Sequence, residues 1–192
     1  ENARNRTYAD GQCSGYDTEC CLWSNLPDDD WAMQDDHPWA IGEFVWTAMD
    51  YHGEATVGRW YYEGVEPPGE HWEAEPYYPW YGATSGDIDV TGWRKPHSHY
   101  RQTLWDENTP TYIATREPDG WKGTIKTTGW SVWPTWESWN YEGWEGKPVT
   151  VEVYSRKPHV VLTLNGEVVG VKVPDEILVA GFDDVQHASL VV

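Results

Sequence analysis

Hydrophobic and polar residues alternate with a period of two along three segments of the C-terminal half, at residues 149–154, 160–164 and 167–173. This period places successive side chains on opposite faces of the backbone and is typical of β-strands. Asn165-Gly166 separates the second segment from the third, and it is a strong signal for a hairpin turn with positive φ at both residues. We therefore predict an antiparallel β-sandwich that contains a hairpin turning at Asn165-Gly166.

The N-terminal half has a different pattern. Residues 41–51 combine β-branched and aromatic side chains next to glycine, which predicts a buried strand followed by a loop. Residues 97–105 predict a helix that is entered after Pro96, with Ser98 as its N-cap. The segment 63–80 is rich in proline and acidic residues and predicts a long surface loop. Residues 1–40 are polar and predict irregular structure.

Length and charge limit the classes of protein that this chain can represent. Its 192 residues suit one domain or two small ones. Thirteen basic residues against 32 acidic residues give a net charge of −19, which argues against nucleic acid and against an anionic membrane surface as partners. No apolar stretch approaches the roughly 18 residues of a membrane helix. The start shows no signal-peptide pattern, so the sequence leaves cytoplasmic and secreted locations open.

Three cysteines lie close together, at Cys13, Cys20 and Cys21. An odd number cannot be fully paired within one chain, so we predict free thiols, with a Cys13–Cys20 disulfide and a metal site as alternatives. No second Cys/His cluster follows at zinc spacing. The sequence therefore predicts neither a metal nor another cofactor.

The aromatic residues are unusual because 15 tryptophans and 12 tyrosines accompany only two phenylalanines. Trp and Tyr combine an apolar ring with a polar group and therefore suit partly wet surfaces. A sugar ring, with an apolar C–H face and a polar rim, is a ligand that such surfaces bind. The alternative is that the rings fill a loop-rich core.

Two regions of the chain resemble glycoside hydrolase family 2, the family of the large β-galactosidases. Residues 44–54 and 86–105 are similar to the last strand, the following loop and the final helix of its (β/α)8 barrel, and residues 139–166 are similar to the immunoglobulin-like domain that follows. The resemblance covers about residues 40–54 and 82–173, in the family's order. It implies that residues 1–108 are the C-terminal part of a barrel and that residues 109–192 are an immunoglobulin-like β-sandwich.

The resemblance also implies a reaction. Family members hydrolyse β-glycosides with retention by means of two glutamates at the carboxyl ends of barrel strands. Residues 1–6 resemble the nucleophile segment of some members, which makes Glu1 the candidate nucleophile; the alternative alignment places the nucleophile just upstream of Glu1. The acid/base glutamate is expected on an earlier strand, in an N-terminal part of the enzyme that this chain lacks. The expected function is that of a β-galactosidase-like fragment acting on a β-galactoside or a related oligosaccharide.

Three further residues are candidates for substrate binding. Trp46 matches the family's tryptophan at the mouth of the barrel, where its ring would stack on a sugar; the alternative is a core tryptophan. Asp50 and Glu54 would accept hydrogen bonds from sugar hydroxyls, or else form ion pairs with Arg59 or Arg94. Glu43 is interpreted as structural. A rival hypothesis is a non-catalytic, Trp-rich carbohydrate-binding or structural β-module, and the oligomeric state, a homo-oligomer included, stays open.

Overall fold

The computed structural model describes residues 27–53, 56–58, 60–65, 82–127, 132–172, 175–176 and 186–191. In this part of the chain there are two helices and eleven mostly short strands. In chain order they are α1 (Pro27–Asp36), β1 (Thr56–Val57), β2 (Trp60–Tyr62), β3 (Gly82–Ala83), α2 (Pro96–Trp105), β4 (Tyr112–Arg116), β5 (Ile125–Thr127), β6 (Thr135–Trp136), β7 (Thr150–Ser155), β8 (Val160–Leu164), β9 (Glu167–Lys172), β10 (Asp175–Glu176) and β11 (Gln186–Val191). Neither of these helices has the length and apolar character needed to cross a bilayer.

The largest sheet has five strands in the order β10-β11-β7-β4-β6, all paired antiparallel. Strand β7 lies at its centre, and residues 151–155 are all buried because both faces of the strand are covered. On one face, Val151 and Val153 pack with Leu162 and Val160 of β8. On the other face, Tyr154 packs against Tyr100 of α2, with 5.4 Å between the ring centroids.

The predicted hairpin is confirmed. Strands β8 and β9 pair antiparallel around Asn165-Gly166, whose φ angles are +52° and +88°. Such angles cost little for Asn and Gly, which explains why these two residues form the turn. Because the hairpin packs on β7 of the five-stranded sheet, the C-terminal half has the two packed β-layers expected of a sandwich.

The predicted helix at residues 97–105 is confirmed as α2, which begins at Pro96. The prediction that Ser98 caps it is wrong. Lys95 occupies the capping position without a side-chain hydrogen bond, and the Ser98 hydroxyl instead accepts a hydrogen bond of 3.1 Å from Nε of Arg94. Proline at the first helical position fixes φ and has no N–H group to satisfy, so this end needs less capping.

The prediction of irregular structure throughout residues 1–40 is wrong at α1. A proline followed by three aspartates is a sequence signal for a helix start, because acidic residues favour the positive end of the helix dipole. Trp31 of α1 packs edge-on against Trp105 at the end of α2, with 4.2 Å between the ring centroids. The cysteine segment and Glu1 lie outside the described residues.

The prediction of a buried strand over residues 41–51 is also wrong. The side chains of Ile41, Phe44 and Trp46 are exposed, and regular pairing is limited to isolated bridges of Met49 with Ile88 and of Tyr51 with Ala83. A strand requires backbone partners beside it, and among the described residues none pairs with residues 41–46, whereas the carbonyl oxygens of Thr47 and Ala48 accept hydrogen bonds from the N–H groups of Asp87 and Ile88. The described residues therefore contain a helix where the final barrel helix was predicted, but they do not form the predicted last strand and do not show a barrel.

Two small sheets complete the architecture. Strands β1 and β3 are parallel, and β2 pairs antiparallel with β5, so one sheet crosses the predicted domain boundary between residues 108 and 109. A turn follows β2 at residues 63–65, where the long surface loop was predicted to begin. The remainder of that loop, residues 66–80, lies outside the described residues.

Candidate functional site

Asp50 is held in a buried ion pair just before α2. Its Oδ1 atom accepts hydrogen bonds from Nζ of Lys95 at 2.6 Å and from the backbone N–H of Gly86 at 2.8 Å. Lys95 also donates to the carbonyl oxygen of Thr84 at 2.7 Å. Only 6% of the Asp50 side chain is exposed. The expected ion-pair alternative is thus present, but the partner is Lys95 rather than Arg94, whose guanidinium bonds to Ser98 and Gln102.

Close backbone contacts bring the segment 82–88 against the segment 49–52. A Cβ atom on Gly86 would lie 2.3 Å from the backbone nitrogen of Asp50, and one on Gly82 would lie 2.2 Å from the carbonyl oxygen of Tyr51. Side chains at these two positions would collide with backbone that cannot move aside. Glycine is therefore required for the approach that lets Gly86 donate to Asp50.

His97, in the first turn of α2, ties the helix to the same loop. Its ring is fully buried, and Nε2 donates to the carbonyl oxygen of Gly86 at 3.0 Å. Arg101, one turn further along α2, donates from Nε to Oδ2 of Asp87 at 2.7 Å. Burial lowers the pKa of His97 to about 3, although the neighbouring Asp87 carboxylate acts in the opposite direction. The imidazole is therefore neutral in the folded chain.

This buried histidine should make the folded chain sensitive to acid. The unfolded chain binds a proton at His97 near pH 6.5, whereas the folded chain does so only near pH 3, so protons favour the unfolded state between these values. We expect the free energy of unfolding to fall by about 2 kcal/mol from pH 6.5 to pH 5 on account of this residue. Urea denaturation at a series of pH values measures the effect.

The control for this measurement is His97→Gln, which cannot titrate. Its unfolding free energy should depend less steeply on pH over the same range, while His159→Gln, at an exposed position, should keep the wild-type slope. Equal slopes for the wild type and His97→Gln would contradict the assignment of the acid sensitivity to His97.

Trp46 lies on the surface, with 80% of its area exposed. Tyr51 packs edge-on against it, with 6.2 Å between the ring centroids. Trp46 and Asp50 therefore have different surroundings: one is an open aromatic surface and the other a buried ion pair. Glu1, Glu54 and Arg59 lie outside the described residues, so their predicted roles stay predictions.

Glu43 makes contact with α1. Its pKa is raised to about 7 by burial and by the carboxylate of Asp30, which shares a hydrogen bond with it, while Arg101 acts in the opposite direction. The pair joins the exposed segment 40–46 to α1. In the described ranges no group of three or more His, Cys, Asp or Glu side chains is arranged to hold a metal ion.

A cleft of about 320 Å³ lies beside Asp50, between the loop that leads into α2 and the segment around β6; we call it the junction cleft. Four tryptophans from distant parts of the sequence line it, together with two acidic residues and one lysine. They are Trp60, Trp93, Trp133, Trp136, Asp50, Asp89 and Lys95. The cleft therefore combines aromatic surface with a small number of charged groups, which is the usual composition of a small-molecule site.

The indole rings of the junction cleft are held in place by neighbouring groups. Trp93 stacks on Trp136 with 6.1 Å between ring centroids and 24° between planes, and Trp60 meets Trp136 edge-on at 6.1 Å. Nε1 of Trp136 donates to Oε2 of Glu117, and Nε1 of Trp133 donates to the carbonyl oxygen of Glu117, both at 2.9 Å. The same carboxylate accepts a hydrogen bond from the Tyr62 hydroxyl.

Asp89 supplies an oriented carboxylate to the cleft. Its Oδ1 atom accepts hydrogen bonds from the hydroxyl of Thr91 at 2.6 Å, the N–H of Thr91 at 2.8 Å and the N–H of Trp93 at 2.9 Å. The hydrogen bond from the Thr91 hydroxyl is the main cause of the lowered pKa of Asp89. This side chain is therefore ionised at neutral pH and fixed in direction.

Of the residues that line the junction cleft, Asp50 is predicted from the sequence as a site residue, whereas Lys95, Asp89 and the grouping of the four tryptophans are not. These residues are distributed over residues 50–136, and no spacing along the chain marks them as neighbours. The high tryptophan content was the available signal, and it did not distinguish cleft residues from core residues.

The chain was compared with known proteins. No protein-family model and no curated protein matches it. Among solved structures, a glycosyl hydrolase family 2 member from Bacteroides cellulosilyticus is 30% identical, with a TM-score of 0.61, over 85% of this chain and 20% of that chain. Another family 2 member, from Bacteroides cellulosilyticus DSM 14838, is 27% identical, with a TM-score of 0.54, over 85% of this chain and 17% of that chain. The chain thus spans about a fifth of the length of these structures.

Proposed function

We propose that this chain is part of a retaining β-glycoside hydrolase of the β-galactosidase type. The observation that carries the proposal is the similarity to two glycosyl hydrolase family 2 members over 85% of the chain. The motifs at residues 44–54 and 139–166 point to the same family. Helix α2, at Pro96–Trp105, agrees with the position that the resemblance gives to the final barrel helix.

The proposed reaction is a double displacement by two carboxyl groups. Glu1 is the proposed nucleophile: its carboxylate forms a bond to the anomeric carbon while an acid/base glutamate protonates the leaving oxygen. The same acid/base residue then takes a proton from water, which displaces the enzyme carboxylate and releases the sugar. In this proposal the acid/base residue is contributed by barrel strands that precede this chain.

The exposed apolar side chains of the segment 41–46 support an association with further barrel strands. Ile41 and Phe44 are fully exposed, and Trp46 is 80% exposed. Large apolar side chains exposed so close together in sequence suit an interface. A neighbouring barrel strand would cover Ile41 and Phe44, leave the ring of Trp46 open, and provide strand pairing that residues 41–46 lack among the described residues.

In the proposed site, the exposed ring of Trp46 stacks on the apolar face of the substrate sugar. Asp50 and Glu54 accept hydrogen bonds from sugar hydroxyls. Lys95 and the Gly86 N–H both bond to Oδ1 of Asp50, so Oδ2 is the atom assigned to the sugar. The two hydrogen bonds to Oδ1 hold that carboxylate fixed in direction.

Trp46→Ala tests the proposed sugar platform. In a polypeptide that joins this chain to the preceding barrel strands, we expect kcat/KM for 4-nitrophenyl β-D-galactoside to fall by about tenfold or more, because about 1.4 kcal/mol of stacking is lost. Trp39→Ala is the matched control, since Trp39 is 79% exposed in the same segment and should leave kcat/KM unchanged. Wild-type kcat/KM in Trp46→Ala would contradict the platform.

The chain alone should not hydrolyse the substrate. The alternative, a non-catalytic carbohydrate-binding or structural module, predicts that the longer polypeptide hydrolyses none of a panel of nitrophenyl galactosides, glucuronides and mannosides. Turnover by the 192-residue chain without the preceding strands would overturn the assignment of the acid/base residue to those strands.

A further inference from the structure

We infer that the junction cleft is a binding site for one pyranose unit of a carbohydrate, separate from the proposed catalytic site around Trp46. The site is composed of Trp60, Trp93, Trp136, Asp89 and Lys95, whose ammonium group is held in place by the Asp50 carboxylate. Both halves of the chain contribute to it, since Trp136 belongs to β6 and the other residues precede α2. The inference does not depend on the proposed catalytic chemistry.

The aromatic residues provide the apolar part of the site. Trp93 and Trp136 stack on one another, and Trp60 stands edge-on to Trp136, so three indoles surround one end of the cleft. The hydrogen bond from Trp136 to the buried Glu117 fixes its ring before any ligand arrives. A rigid aromatic wall loses little conformational entropy on binding and suits the C–H face of a pyranose.

The polar residues provide unused hydrogen-bonding capacity. An ammonium group has three N–H donors, and among the described residues Lys95 uses two of them, on Asp50 and Thr84. The hydrogen bonds of Asp89 all go to Oδ1, so within the same ranges its carboxylate keeps Oδ2 as an acceptor. One ammonium donor and one ionised carboxylate acceptor beside an aromatic wall match two neighbouring hydroxyls of a sugar.

Charge excludes the main competing ligands. Two carboxylates and a net charge of −19 disfavour an anion. A quaternary ammonium ion would be attracted by the tryptophans and the carboxylates. However, the positive charge of Lys95 would repel such an ion, and the remaining N–H donor of Lys95 would stay unused. The volume of about 320 Å³ lies at the lower end of the range for small-molecule sites, which favours one sugar unit over a long segment of polymer.

The test measures saccharide binding by the 192-residue chain itself. Saturation-transfer NMR and isothermal titration calorimetry would be performed with methyl β-D-galactopyranoside, methyl β-D-glucopyranoside and tetramethylammonium. We expect at least one of the two glycosides to bind and tetramethylammonium not to bind. Tetramethylammonium binding without glycoside binding, or no binding of either glycoside, would overturn the inference.

Variants locate the site. Trp93→Ala should weaken glycoside binding by about tenfold, which corresponds to about 1.4 kcal/mol. Asp89→Asn keeps a side-chain oxygen that can accept hydrogen bonds from Thr91 and Trp93, and it should also weaken glycoside binding. This variant tests the site if Trp93→Ala does not fold. Trp139→Ala, at an exposed position outside the cleft, is the matched control and should bind as the wild type does.

Trp46→Ala distinguishes this site from the proposed catalytic site. If Trp46→Ala abolishes binding by the chain while Trp93→Ala and Asp89→Asn retain it, the junction cleft is not the sugar site. Failure of the proposed function has a different readout, namely absence of glycoside hydrolysis by the polypeptide that includes the preceding barrel strands. The two failures are therefore observed in separate assays on separate polypeptides.

Discussion

Replacing Lys95 with methionine should lower the free energy of unfolding by about 3–5 kcal/mol. Lys95 is the cation that faces Asp50, at 2.6 Å, and only 6% of the Asp50 side chain is exposed. In Lys95→Met the carboxylate stays buried without its counter-charge, with the Gly86 N–H as the remaining partner described for it. An unpaired buried charge is among the most costly defects that a single substitution can create.

Urea denaturation of Lys95→Met, Asp50→Asn and the double variant measures this effect. The double variant should be more stable than Lys95→Met alone, because it removes the charge that the single substitution leaves buried. Lys126→Met is a matched control: Lys126 pairs with Glu63 at 3.5 Å, both side chains are largely exposed, and the expected change is below about 1 kcal/mol. A loss for Lys95→Met no larger than that of the control would contradict the buried ion pair.

The second large effect is expected at Glu117, which is 3% exposed. Its carboxylate accepts hydrogen bonds from the Tyr62 hydroxyl and from Nε1 of Trp136. Burial and the hydrogen bond to Glu117 raise the pKa of Tyr62, so its hydroxyl stays protonated and donates at every physiological pH. Glu117→Ala would leave two donors without their acceptor, and we expect the free energy of unfolding to fall by about 3–4 kcal/mol.

Thermal and urea denaturation measure the stability of this variant. Glu117→Gln keeps one acceptor oxygen and should lose roughly half as much. The control is Glu137→Ala, because the Glu137 carboxylate accepts a hydrogen bond from the Tyr112 hydroxyl at 3.0 Å on the exposed surface, where water replaces it. Similar losses for Glu117→Ala and Glu137→Ala would show that burial of the carboxylate is not the cause.

Glu117 also connects fold stability with the junction cleft. The hydrogen bond of Trp136 to the Glu117 carboxylate fixes one of the rings that line the cleft, whereas Trp133 bonds to the Glu117 backbone carbonyl, which a side-chain substitution keeps. Glu117→Gln should therefore weaken glycoside binding even under conditions in which the variant is fully folded. Titration calorimetry below the unfolding transition tests this separation of binding from stability.

Local signals explain the parts of the fold that were predicted correctly. Asn165-Gly166 forms the hairpin because these two residues adopt positive φ at little cost, and Pro96 starts α2 because its ring fixes φ and removes one unsatisfied N–H. Both effects act within a few residues. The signal for α1 is equally local, because a proline at the first helical position and the aspartates after it favour a helix start.

The errors have a different origin. The side chains of residues 41–51 favour a strand, but a strand forms only where neighbouring backbone supplies hydrogen bonds. Among the described residues, such partners lie beside residues 47–51 and not beside residues 41–46. An ion pair with Arg59 or Arg94 is one of the two roles predicted for Asp50, whereas the folding of segment 82–88 onto segment 49–52 brings Nζ of Lys95 to 2.6 Å from its Oδ1. In both cases the outcome depends on chain segments that are distant in sequence.

Features that depend on short-range conformational preference can be recognised in the amino-acid sequence: the alternating strands of the C-terminal half, their turn at Asn165-Gly166 and helix α2. The pairing of charges and the grouping of tryptophans around one cleft come from the folded chain instead. The reason is that backbone preference acts over a few residues, whereas ion pairing and ring packing depend on distance in space. Asp50, Lys95, Glu117 and Trp136 become neighbours only when the loop before α2 and the segment around β6 pack together.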